Sequence, residues 1–152
     1  MRRRTVLASL PSLLVAGTAG CLSGAPGGTG TTTTPDRPTL TDTEFRVTDR
    51  SCGSGTDEAT VSFDAGARVT VSGTIAASNL CQGARLGSAD YDADADELTL
   101  RVETHTIGDG CAQCLAELSY RGTAVFEGGL PGSVVVEHDS MGGTHVVARV
   151  QP

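Results

Sequence analysis

The chain has 152 residues, eleven arginines, no lysine and eighteen carboxylates, for a formal net charge of −7 at pH 7. So acidic a balance excludes a nucleic-acid partner, whose phosphates this surface would repel. Its length beyond the N-terminal segments suits one domain.

The first twenty residues carry a basic head (Arg2, Arg3, Arg4), an apolar run from Val6 to Ala16 and the small residues Gly17-Thr18-Ala19-Gly20. That order is a secretory signal. An apolar run of roughly 12 residues is too short for a spanning helix, which needs ~20, and Pro11 weakens it further. Arg3-Arg4-Thr5-Val6-Leu7 has the twin-arginine form, which directs export of a folded protein. Thr18-Ala19-Gly20-Cys21 resembles a lipobox, which implies cleavage before Cys21 and lipidation of its thiol. Two acyl chains anchor stably where one does not. The expected location is therefore the outer face of the cell membrane, with the domain outside.

Without residues 1–20, eight arginines stand against eighteen acids, a net of −10. Molar salt shortens the Debye length to ~3 Å and screens the self-repulsion of such a surface. Lysine-free acidity together with residues 1–21 resembles the lipoproteins of halophilic archaea.

Residues 21–43 follow the lipid site as a Thr/Gly/Pro-rich stretch with no apolar periodicity, expected to be a disordered linker. About 22 flexible residues span ~25 Å r.m.s., enough to hold a domain clear of a surface. Asn79 is followed by Leu80-Cys81, so no N-glycosylation acceptor is present.

From residue 44 to 152 the apolar period is two. Val69-Val71-Gly73-Ile75, Leu98-Leu100-Val102 and Leu118-Tyr120 alternate with polar neighbours. Eight strands are predicted, near 44–49, 58–63, 67–77, 83–91, 97–106, 113–127, 132–138 and 144–150, separated by Gly/Asp/Pro turn clusters. The inward parity slips between Leu86 and Tyr91, which predicts a β-bulge near Gly87-Ser88. The expected fold is all-β, an antiparallel sandwich of immunoglobulin-like architecture. If the strands reverse between two poles, the connections after strands one, three, five and seven share one of them. That pole would gather the cysteines and the His138–His145 turn, while the chain enters at the other beside Asp92–Asp96.

Four cysteines lie in this domain: Cys52, Cys81, Cys111 and Cys114. Outside the cell they read as two disulfides. Three pairings are open, with Cys52–Cys81 plus Cys111–Cys114 slightly preferred. A redox reading of Cys111-Ala112-Gln113-Cys114 needs a helix starting at the first cysteine, and a strand is predicted to follow instead. A four-cysteine zinc site would want a second Cys-x-x-Cys. Asp92-Ala93-Asp94-Ala95-Asp96 lacks the glycine and the flanking helices of an EF-hand, so it reads as an acidic hairpin tip.

His138-Asp139-Ser140 has triad residue types, but neighbours on an extended chain do not converge. If Asp139 faces Thr144 across a four-residue turn, His138 and His145 become cross-strand neighbours about 5 Å apart. Two imidazoles with Met141 as a soft ligand would then suit copper or zinc. The plainer alternative is two solvated histidines beside a glycine turn.

The second half, from Cys81 through Ala84-x-Leu86-x-Ser88-Ala89-x-Tyr91-Asp92, Cys111-x-Gln113-Cys114 and Leu130-Pro131-Gly132-Ser133-Val134, resembles small secreted haloarchaeal domains of uncharacterised function. No enzyme motif is present. The expectation is a non-catalytic surface module with no cofactor, contacting an envelope protein or surface polymer. The alternative is an exported copper- or zinc-binding protein using His138, Met141 and His145.

Overall fold

The computed structural model describes residues 36–152. Cys21, the signal segment and most of the linker therefore lie outside the described residues. The eight strands are β1 (Thr39–Cys52), β2 (Glu58–Asp64), β3 (Arg68–Ala77), β4 (Gln82–Asp92), β5 (Glu97–Thr106), β6 (Ala116–Glu127), β7 (Ser133–Ser140) and β8 (Gly143–Val150). They form two four-stranded sheets, β1-β6-β3-β2 and β4-β5-β7-β8, packed face to face as a β-sandwich. Among the described residues there is no helix.

Alternation supplies the core. β6 buries Ala116, Leu118, Tyr120, Ala124 and Phe126 on one parity and leaves Glu117, Ser119, Arg121 and Thr123 on the other. These side chains meet Val69, Val71 and Ile75 of β3, and Leu98, Leu100, Val102, Val134 and Val136 of the second sheet. Each fully buried Val or Leu stabilises the fold by roughly 1.5–3 kcal/mol. Tyr91 packs edge-on against Phe126 at 5.2 Å between centroids, and Phe45 stacks on Tyr120 at 5.3 Å.

The bulge falls where parity required it: the β4–β5 register shifts between Leu86 and Ser88. Three expectations need correction. β1 begins at Thr39, five residues before the expected domain start, because Leu40 pairs with Phe126 and packs against the core. A lone apolar residue among threonines and Asp42 gave no periodic signal there. β6 begins at Ala116 and not near 113, so Cys114 lies with Cys111 in the preceding loop and not in the strand. The β7–β8 turn is two residues, Met141-Gly142, with Asp139 facing Thr144 as expected.

The sheets are not wholly antiparallel, since β5 and β7 pair in parallel. Successive strands reverse between the poles, so odd strands all run one way. β6 crosses to the other sheet, leaving its two odd neighbours side by side. Every other pairing joins an odd strand to an even one and is antiparallel.

The chain enters at the pole that holds the Asp92–Asp96 tip, where the Arg37 guanidinium lies 3.0 Å from an Asp94 carboxylate oxygen. The Ala95 and Asp94 backbone N–H groups, donating to Asp92 at 3.0 and 2.9 Å, hold its carboxyl below the ordinary value. Tyr91 donates to Asp96 at 2.6 Å. Burial and that carboxylate push the Tyr91 phenol up to about 12. The tip is thus an internally bonded acidic hairpin.

Candidate functional site

The opposite pole gathers the other four connections. Cys52 ends β1 opposite Ala116. Cys81 sits just before β4, whose Gln82 faces Thr106 at the end of β5. All four cysteines therefore meet at this pole, but not in the preferred pairing. The bridges are Cys52–Cys114 and Cys81–Cys111. Strand order decides this: β1–β6 pairing carries Cys52 to the residues before Ala116, and β4–β5 pairing carries Cys81 to the loop after Thr106.

The β1–β2 connection is strapped down beside the first bridge. Gly53 N–H donates to Leu115 O at 2.9 Å. Glu117 Oε1 then accepts backbone N–H bonds from Ser54, Gly55 and Thr56 at 2.9, 3.1 and 3.1 Å. The Thr56 and Ser54 hydroxyls add bonds at 2.9 and 3.3 Å. A side chain at Gly53 would run into this carboxylate. Successive N–H groups converging on one oxygen make an anion-binding nest, here filled by the protein's own Glu117.

The bonds from Thr56, and then Ser54, hold the Glu117 carboxyl below its ordinary value. A depressed carboxylate contributes stability above the unfolded-state pKa, ~4.3, and loses it as pH falls through the lower folded value. Glu117→Gln, which keeps one acceptor but no charge, is expected to lower the unfolding midpoint at pH 7. It should also flatten the wild-type decline below about pH 4. Parallel acid titrations of the urea midpoint check both.

The strap delivers Asp57, and Asp57 reaches across to the second sheet. Its Oδ1 accepts from His138 Nδ1 at 2.9 Å and from Ala76 N–H at 3.1 Å. The Ser140 hydroxyl donates to Oδ2 at 3.3 Å. With Nδ1–H given to the carboxylate, His138 Nε2 is an acceptor, and the Tyr120 hydroxyl lies 2.8 Å from it. Tyr120 from β6, His138 from β7 and Asp57 from the strap thus form one chain of bonds between the sheets.

Both rings are inside: His138 is 0 % exposed and Tyr120 2 %. Burial pushes the His138 imidazolium down, opposed only in part by the Asp57 carboxylate, while His145 adds to the lowering. Burial, with Asp57's charge behind it, raises the Tyr120 phenol above its ordinary value. The neutral tautomer satisfies every bond. Gly73 makes room for this hydroxyl, since a Cβ there would stand 2.5 Å from both Tyr120 Oη and Glu58 O.

The register pairs His138 with His145 as expected, their ring centroids 6.2 Å apart. His138 is not solvated: its Nε2 lies 2.8 Å from the Tyr120 hydroxyl and its Nδ1 2.9 Å from Asp57 Oδ1, so both nitrogens have protein partners. Met141 is 54 % exposed in the turn. Among the described residues, no three His, Cys, Asp or Glu side chains converge as a metal-binding group.

Asp57 and Glu117 escaped the sequence reading as site residues, and Tyr120 was read only as core. A signal did exist for Asp57: it is the only carboxylate in the connection 53–57, which pole alternation places beside the His138 turn.

No family model, curated protein or solved structure matches this chain.

Proposed function

We propose that this is an exported, lipid-anchored envelope module, held through Cys21, whose sandwich presents its disulfide pole to a partner outside the cell. The observation that carries the reading is where apolar surface is left open. Ile107, Leu115, Met141 and Val146 are each about half exposed. Ile107 and Leu115 lie in the β5–β6 connection, Met141 in the β7–β8 turn and Val146 within four residues of that turn. Ile107, Leu115 and Met141 belong to the pole opposite the one where the chain enters, and Val146 lies midway along β8, paired with Glu137. Apolar side chains kept in water at one end, on a domain with nine more acids than arginines across 44–152, suit a contact surface.

The reading is non-catalytic because the relay of acid, imidazole and hydroxyl found among the described residues keeps its imidazole and phenol buried, away from a substrate. Two disulfides are at home in an oxidising, extracellular compartment. The acidic, lysine-free surface supports a salt-rich one.

Photo-crosslinkers placed singly at Met141 and at Asp94, on intact cells in molar salt, test the reading. Adducts of discrete mass are expected from Met141 and not from Asp94. Equal labelling from both ends, or none from Met141, would overturn it. Cys21→Ser should in parallel release the protein to the medium or stall its processing.

A further inference from the structure

His145 is half exposed at the mouth of the relay and takes no part in it. Its Nδ1 lies 3.3 Å from Gly143 O, so in the neutral ring Nδ1–H donates there and Nε2 keeps its lone pair. That lone pair stands 3.9 Å from Asp57 Oδ2. On the other side Asp57 is fixed, its Oδ1 held by His138 Nδ1–H and Ala76 N–H, while Oδ2 accepts only the longer bond from Ser140. Two acceptors therefore face each other with no donor between them, on a carboxylate and an imidazole whose far sides are already bonded. Backing hydrogen bonds of this kind orient metal ligands.

We propose that Asp57 Oδ2 and His145 Nε2 form a divalent transition-metal site for zinc or copper(II), with His138 and Gly143 O as positioning groups. With bonds of about 2.0–2.2 Å to nitrogen and to oxygen, a tetrahedral ion holds the two atoms about 3.4 Å apart, so the exposed His145 ring closes by about half an ångström on binding. A mixed imidazole–carboxylate set suits these ions better than magnesium or calcium, which favour oxygen alone. This site differs from the His138–Met141–His145 set that the sequence suggested, because the relay takes His138 out and the strap brings Asp57 in. It does not depend on the partner-binding reading.

Calorimetric titration of chelator-stripped full-length protein with zinc chloride, at pH 7 in molar salt, tests it. Electron paramagnetic resonance with copper(II) reports the ligands. One ion per chain and nitrogen hyperfine structure from one imidazole are expected. His145→Ala, at an exposed position, should weaken binding by tenfold or more. Asp57→Asn should do the same, with circular dichroism confirming the fold, while Met141→Leu should leave affinity unchanged. Absence of saturable binding would overturn the proposal. So would unchanged affinity in His145→Ala, or equal loss in Met141→Leu.

Discussion

Replacing Cys52 and Cys114 together by alanine is expected to remove about 4 kcal/mol of stability. The bridge closes a loop with a sequence separation of 62. In the chain-entropy model that closure stabilises by about 4.3 kcal/mol, against about 3.6 kcal/mol for Cys81–Cys111 with its separation of 30. The two pairs should thus rank by loop length, the opposite of what burial alone would suggest, since Cys81 is buried and Cys52 exposed. Urea unfolding of both double variants in molar salt measures the order. A larger loss from the Cys81/Cys111 pair would mean that local packing, and not the constraint on the unfolded chain, governs.

The second large effect belongs to the relay. His138→Phe keeps the volume of the ring but leaves a buried Tyr120 hydroxyl with no acceptor and takes the imidazole donor from Asp57. An orphaned buried hydroxyl costs about 1–3 kcal/mol, and a lost hydrogen bond to a charge about 1.5–3 kcal/mol, so a total near 4 kcal/mol is expected. Tyr120→Phe removes one partner of a single bond and should cost about 1–2 kcal/mol. The double variant should cost less than the sum by about 1 kcal/mol, because no hydroxyl is then left unpaired. Additive losses would show that the three groups do not act as one network.

The variant should also change the response to pH. The depressed His138 pKa means the unfolded chain binds a proton more readily. Its contribution is therefore fully present above the unfolded value of ~6.5 and is lost as pH falls through the folded one. His138→Phe should abolish that portion of the decline while leaving the carboxylate portion below about pH 4 in place.

What could be read in the residues follows from locality. A period of two is written within each strand, so β2, β3 and β5 are placed to within a residue or two. The slip of parity from Leu86 to Tyr91 reports a bulge without reference to any partner strand. Alternation between poles needs only the number of strands, and it suffices to bring Cys52, Cys81, Cys111 and Cys114 to one end and the Asp92–Asp96 tip to the other.

Strand order is different, because it is settled by contacts between residues from 36 (Glu97 with Ser133) to 88 (Thr39 with Glu127) positions apart. The β1–β6 pairing sets Cys52 beside Cys114, and no local pattern announces it. The same pairing hides the start of β1, where Leu40 is the sole apolar residue of Thr39–Thr43. His138 shows the boundary between the two kinds of information. Its parity with Val134 and Val136 puts it inside, but a buried imidazole needs partners, and these come from β6 and from the strap. Only the assembled sandwich names Tyr120 and Asp57.

The nesting of the two bridges bears on how the domain would carry a mechanical load. Cys81–Cys111 lies wholly within the loop closed by Cys52–Cys114. Tension applied between the chain's two ends passes through the outer bridge and bypasses everything between Cys52 and Cys114. The 61 enclosed residues, from Gly53 to Gln113, cannot pay out under load. At ~3.3–3.6 Å per residue they would otherwise lengthen the pulled chain by roughly 200 Å. β2 to β5, the strap and the inner Cys81–Cys111 bridge lie off the load path. Only β1 and β6 to β8 can unravel, so with both thiol pairs oxidised a pulled molecule remains short.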